Sequence, residues 1–189
     1  MTLLLHACCA PCSFQCVETL TGEGIPPDLF WYNPNIHPYT EYRSRLDSLR
    51  AFAESRKISL VMEDEYGLRS FIKAVENDRC HHRCAYCYRL RLEKTAALAA
   101  EKKYDAFSTT LLISPYQNHD LIRETGEDLA ARYGVSFLYR DFRPRFRQGQ
   151  NQAREAGYYM QKYCACIYSE EERYNDRRPL PSLGSSGIP

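Results

Sequence analysis

Residues 2–16 read TLLLHACCAPCSFQC, and the fold of the whole chain follows from this stretch. The apolar run at 2–7 has strand length and no helical periodicity, so it reads as a buried strand. Ser13 is placed to cap a helix that Gly22 and Gly24 bring to an end. A strand running straight into a helix is how an α/β domain begins. The turn between them is unusual. A phosphate-binding turn in this position carries glycines, whereas this one carries Cys8, Cys9 and Cys12 around Pro11.

Working outward, the alternation repeats. Strands are expected at 28–33, 59–64, 104–110 and 135–142, and helices at about 40–57, 68–77, 84–103, 120–133 and 148–162. Five strands alternating with helices predict an α/β fold of one domain over residues 1–175, a parallel sheet with helices on both faces. The Pro/Gly/Ser segment at 176–189 reads as a flexible tail. Ligands in such sheets bind at the carboxyl ends of the strands, near the switch point. Cys8, Cys9 and Cys12 follow the first strand, Asn33 the second, Ser108 to Thr110 the fourth and Asp141 the fifth, so one site is expected from distant segments.

Seven of the nine cysteines fall in three tight groups: Cys8, Cys9 and Cys12; Cys84 and Cys87; Cys164 and Cys166. Each group sits where a strand or loop gives way to a helix. Thiolates this close hold iron–sulfur, hold zinc, or exchange with disulfides. Seven exceeds the four that one cluster or one zinc needs. C-x-x-C at 84–87 suits any of these roles, and Cys80 either joins it or stands by. C-A-C at 164–166 is too tight for the usual zinc half-site; it suits neighbouring metals, a strained disulfide, or one ligand beside a core cysteine. Cys16 reads as core. Asp141 is an oxygen ligand, a proton donor or the partner of a neighbouring arginine. His37 alone reads as structural.

The net charge of +1 gives no polyanion-binding signature, yet 19 of the 25 basic residues are arginine. Arg140, Arg143, Arg145 and Arg147 form one basic stretch, and Arg79, His81, His82, Arg83, Arg89 and Arg91 surround the middle cysteine pair. Arginine is the better bidentate phosphate partner. No apolar run approaches the ~20 residues of a membrane span. The N-terminal stretch lacks the basic start of a signal peptide, so an intracellular, cytoplasmic location is expected.

CCAPC, YNPNI-P--EY--R, C--CY--RL, STTLL-SPYQ, YRDFR and KYC-CIYS, in this order over about residues 3–174, resemble the epoxyqueuosine reductase QueH family. Relatives often read C-G-C where Ala165 stands here. The resemblance implies a fold similar to the adenine-nucleotide α-hydrolase-like (HUP) group. It also implies cobalamin-independent reduction of the epoxide of epoxyqueuosine, carried at the wobble position of tRNA. The implied cofactors are a 4Fe-4S cluster and an additional iron beside it, which would bind the epoxide oxygen as a Lewis acid. On this reading Cys8, Cys9, Cys84 and Cys87 hold the cluster. Cys164 and Cys166 are a redox dithiol or ligands to the second iron, with Cys12 and Asp141 completing its shell. An external electron donor feeds the site.

Tyr32, Asn33, Asn35, Ser108, Tyr116 and Gln117 are expected to line the substrate pocket, with Arg140, Arg143, Arg145 and the 79–91 set on the anticodon-loop phosphates. Two other readings stay open: a cluster-dependent tRNA thiolase, which normally has a glycine-rich phosphate loop after the first strand, and a zinc-stapled RNA-binding module with no catalysis.

Overall fold

The expected first strand is β1, Leu3–His6, at the centre of a five-stranded parallel sheet of order β3-β2-β1-β4-β5. The computed structural model describes residues 1–77 and 83–175. After β1 come α1 (Ala10–Gly22), β2 (Pro27–Trp31), α2 (Tyr39–Arg56), β3 (Leu60–Met62), α3 (Leu68–Asn77) and α4 (Arg83–Glu101). They are followed by β4 (Ala106–Thr109), α5 (His119–Tyr133), β5 (Ser136–Phe137), α6 (Phe146–Glu155) and α7 (Ile167–Tyr174). Leu3, Leu4 and Leu5 are all buried, as a parallel strand covered on both faces requires. Helix α1 packs on α2 and α6, while α4 packs on α5, β1 and β4. β1 pairs with β2 on one side and β4 on the other, so the chain reverses direction across the sheet between β1 and β4. That is the switch point.

Three local differences from the sequence expectation shape the site. Helix α1 starts at Ala10 rather than after Ser13, because Pro11 suits a first helical turn and Cys9, with extended backbone, is the N-cap. Ser13 instead donates from inside the helix to Cys9 O at 2.8 Å. Strand β5 stops at Phe137: Leu138 N still donates to Phe107 O at 2.9 Å, but the Ser108 hydroxyl takes Leu138 O at 2.8 Å and the ladder ends there. Helix α6 ends at Glu155, where Gly157 takes a positive φ of 75°, so residues 156–166 form a loop and not the expected helix. Gly149 lets α6 approach α1: a Cβ there would sit 3.4 Å from Pro11 O and 3.3 Å from Gln15 Cγ.

Candidate metal centre

Cys8, Cys9 and Cys12 place their sulfurs within 4.8 Å of one another, and all three are buried. Adjacent cysteines on a strand would point apart, but both lie past the end of β1, and their sulfurs are 3.8 Å apart. Thr110, at the end of β4, ties the turn down. Its hydroxyl accepts from Cys8 N at 3.4 Å and donates to Cys8 Sγ at 3.7 Å. Hydrogen bonds from Cys12 and Cys9 hold the Cys8 thiol well below its ordinary pKa. Burial keeps Cys9 high, and donation to Cys8 keeps Cys12 high. Cys16 is fully buried in the core, as expected.

The other four thiols gather from α4 and the chain before α7. Cys84 is exposed at the start of α4, and Cys87 is buried one turn on. Cys166 is the N-cap of α7 and packs with Cys87 against Phe71. Burial pushes Cys87 up to about 12 and raises Cys84, with Cys164 and Cys166 adding to both. Cys164 is exposed and accepts a hydrogen bond from Gln117 Nε2 at 3.2 Å. Ala165 carries no positive φ, so an alanine adopts this backbone without strain.

Two fully buried arginines tie these segments together. Arg45 donates to Glu41 at 2.7 Å and to the carbonyls of Cys164 at 2.6 Å and Tyr163 at 3.1 Å. Arg91 donates to Cys87 O and to Cys87 Sγ, each at 3.1 Å. Burial opposes the Arg91 charge, yet Cys87, Cys8 and Cys164 raise its pKa above the ordinary value. His37 fastens the last cysteine group from below. Its backbone N–H donates to Ala165 O at 2.9 Å, its Nδ1 accepts from Ile167 N at 3.3 Å, and its carbonyl accepts from Tyr163 OH at 2.6 Å.

A cavity of about 500 Å³ opens over this arrangement, with Cys8, Cys12 and Cys164 in its wall. Tyr116 and Gln117, both expected at the pocket, are there, and Tyr116 is 84% exposed with its ring edge-on to Phe146. Tyr32, Asn33, Asn35 and Ser108 do not line it. Tyr32 stacks on Phe30, Asn33 bonds Ala7 O and His6, and Ser108 donates to Leu138 O. They lie buried because the strand ends they occupy are covered by the loops that follow.

The arginine stretch is also away from the wall. Arg140 pairs with Glu23 at 3.1 Å, and Arg145 donates to Gln148. Both oxygens of Asp141 accept from Arg143, which holds the Asp141 carboxyl below its usual range. Arg91, expected at phosphate, is buried against Cys87 because residues four apart on α4 share its inward face. Cys80, Arg79, His81 and His82 lie outside the described residues. Thr110, expected at the site from the end of the fourth strand, lines the cavity, whereas the sequence reading missed Arg45, Phe146, Gln161, Lys162 and Arg173, which line it too. Arg45 had a signal, since Glu41 and Arg45 stand at ion-pair spacing on a helix. Gln161 and Lys162 were hidden by the helix expected there.

The donor set fits a thiolate-held metal. Soft thiolates select zinc and iron–sulfur groups, and a tetrahedral site with metal–sulfur bonds near 2.3 Å has sulfurs about 3.8 Å apart, as Cys8 and Cys9 do.

A family model described as Epoxyqueuosine reductase QueH matches residues 3–172. The Epoxyqueuosine reductase QueH of Dehalococcoides mccartyi is 38% identical over 172 residues, covering 91% of this chain and 94% of the relative. That of Thermotoga maritima is 33% identical over 181 residues, covering 91% and 92%. Among solved structures, the U34-tRNA thiolase NcsA from Methanococcus maripaludis with its 4Fe-4S cluster aligns with a TM-score of 0.54 at 13% identity, covering 90% of this chain and 62% of that one. That likeness shows a shared fold, consistent with the parallel sheet of order β3-β2-β1-β4-β5.

Proposed function

The chain belongs to the epoxyqueuosine reductase QueH family, and on that premise we propose that it reduces the epoxide of epoxyqueuosine at the wobble position of tRNA. The observation that supports this most is the compact Cys8, Cys9 and Cys12 triad beside a cavity that Cys164 also lines, with Cys87 behind it on Arg91. The reaction takes two electrons and two protons: the epoxide oxygen leaves as water and a carbon–carbon double bond forms.

Cys8, Cys9, Cys84 and Cys87 are the proposed ligands of a 4Fe-4S cluster. Cys12, Cys164 and Cys166 serve an adjacent iron or, for the last pair, a redox dithiol. Asp141 stays a candidate ligand that would first have to release Arg143. When bound, such a group supplies electrons singly from an external donor. The chain's own residues do the rest. Arg45 and His37 fix the loop that carries Cys164 and Cys166. Tyr116, beside Phe146, offers a stacking surface to a base splayed out of the anticodon loop. Lys162 and Arg173 line the same cavity and are placed for the flanking phosphates, with Arg145 beside them, whereas Arg140 and Arg143 would first have to leave Glu23 and Asp141. Asn33, Asn35 and Ser108 support the site from beneath, and Tyr32 closes its strand end. No helix among the described residues is long and apolar enough to cross a membrane, and a tRNA substrate puts the reaction in the cytoplasm.

The test is metal and sulfide analysis on protein purified and reconstituted without oxygen, followed by turnover of epoxyqueuosine-tRNA with a chemical reductant. We expect a brown protein with about four sulfides and four to five irons per chain. The triad geometry favours one other reading, a zinc-stapled RNA-binding module. A colourless protein holding only zinc after reconstitution would establish that instead.

A further inference from the structure

Arg45 and Arg91 are the two fully buried arginines among the described residues, and they are balanced differently. Arg45 has the Glu41 carboxylate at 2.7 Å. Arg91, 1% exposed, has no carboxylate partner among the described residues; Cys87 takes both of its hydrogen bonds, and Cys8, the thiol held toward its ionised form, also acts on it. A buried cation with no counter-charge costs several kcal/mol, so the sulfur site has to supply one.

We propose that Arg91 is the buried counter-charge of the metal centre and holds the reduction potential of its iron–sulfur group up. This rests on the iron–sulfur reading above. One-electron reduction adds one negative charge to the group, the electron coming in the assay from a chemical reductant. A fixed cation bonded to a ligand sulfur stabilises the reduced form more than the oxidised one. Arg91 is a positioning residue here, not a catalytic one. Its placement is set by α4, which puts residues 87 and 91 on one inward face.

The experiment is an anaerobic redox titration, followed by visible absorbance and electron paramagnetic resonance, of reconstituted wild type, Arg91→Met and Arg91→Lys. Iron and sulfide are assayed first. Wild type without sulfide defeats the iron–sulfur reading itself, and this proposal with it. With the group present, Arg91→Met is expected to become at least tenfold harder to reduce, about 59 mV for one electron, and Arg91→Lys to shift less than half as far. Loss of sulfide from folded Arg91→Met with retention in Arg91→Lys also supports the counter-charge. Should Arg91→Met not fold, Arg91→Gln replaces it in the same comparison. A neutral variant that keeps the wild-type potential, or a lysine variant that shifts as far as the neutral one, overturns the proposal.

Discussion

Gln117 Nε2 donates to Cys164 Sγ at 3.2 Å, and the direction of that bond is fixed from the other end of the amide. Tyr88 OH donates to Gln117 Oε1 at 2.7 Å and accepts from Asn118 N at 3.2 Å. With its oxygen taken, the amide can present only N–H to the sulfur. Tyr88 follows Cys87 on α4, so one cysteine group orients a donor onto another. Gln117→Leu is expected to lower kcat on epoxyqueuosine-tRNA about fivefold to tenfold, the worth of one hydrogen bond near 1 kcal/mol. Tyr88→Phe, which frees the amide to turn over, is expected to give part of that loss. Unchanged kcat in both would mean the bond has no part in turnover.

The thiols offer two partitions, and single serine variants separate them. If Cys8, Cys9, Cys84 and Cys87 hold the cluster, Cys9→Ser loses most of its sulfide, whereas Cys166→Ser keeps its sulfide and loses at most one iron. We expect that result from anaerobic iron and sulfide assays. The opposite pattern would put the cluster on Cys84, Cys87, Cys164 and Cys166 and leave the compact triad to a single iron.

Much of this was legible in the sequence. TLLLHA, the helical runs and the rule that ligands gather at strand ends were enough to put Cys8, Cys9 and Cys12 beside Thr110 at the switch point; Cys84, Cys87, Cys164 and Cys166 follow no strand and were joined to them only by the resemblance. The arginines were not legible, because a charged residue beside a motif looks like surface until its helix face is known. Arg91 stands four residues from Cys87 and so had to face inward with it. The loop at 156–166 was misread because its apolar and aromatic residues continue the helical period past Gly157, and a positive φ there outweighs the pattern. The pairing of Arg140 with Glu23 links α1's end to the strand-five strap, a contact between segments more than a hundred residues apart that no local pattern announces.

Breaking one side of the Arg45 pair should be costly. Glu41 is 8% and Arg45 1% exposed, and Glu41 also accepts from Tyr159 OH. Glu41→Ala leaves a buried guanidinium with only backbone carbonyls, and about 3–5 kcal/mol of stability is expected to go. Urea unfolding of the reconstituted protein measures it. A loss under about 1 kcal/mol would mean that water reaches Arg45.

His37 makes the fold acid-sensitive. Burial lowers its pKa from 6.5 to about 4, and Nδ1, which accepts from Ile167 N, has to stay unprotonated. Between pH 6.5 and 4 the unfolded chain binds a proton that the folded chain refuses. Stability is therefore full above 6.5 and falls as the pH drops, by about 1.4 kcal/mol per pH unit for one site. His6, lowered to about 4 mainly by burial, acts in the same direction. His37→Gln is expected to flatten the acid slope by roughly half in unfolding series between pH 7 and 4.5. An unaltered slope would assign the sensitivity elsewhere.

For tRNA, basic residues with free charge should count and those in ion pairs should not. Lys162, Arg173 and Arg145 make no ion pair with a carboxylate among the described residues, whereas Arg140 is neutralised by Glu23 and Arg143 by Asp141. Each phosphate contact at single-stranded nucleic acid contributes about 0.7 to the slope of log affinity against log salt. Lys162→Ala and Arg173→Ala are each expected to lower that slope by about this amount, and Arg145→Ala likewise. Removing a whole pair, Glu23→Gln with Arg140→Ala, is expected to leave it unchanged. Filter binding across a salt series reads both. A full decrement from the pair deletion, with none from Lys162 or Arg173, would move the anticodon loop off the cavity mouth and onto the 140–147 strap.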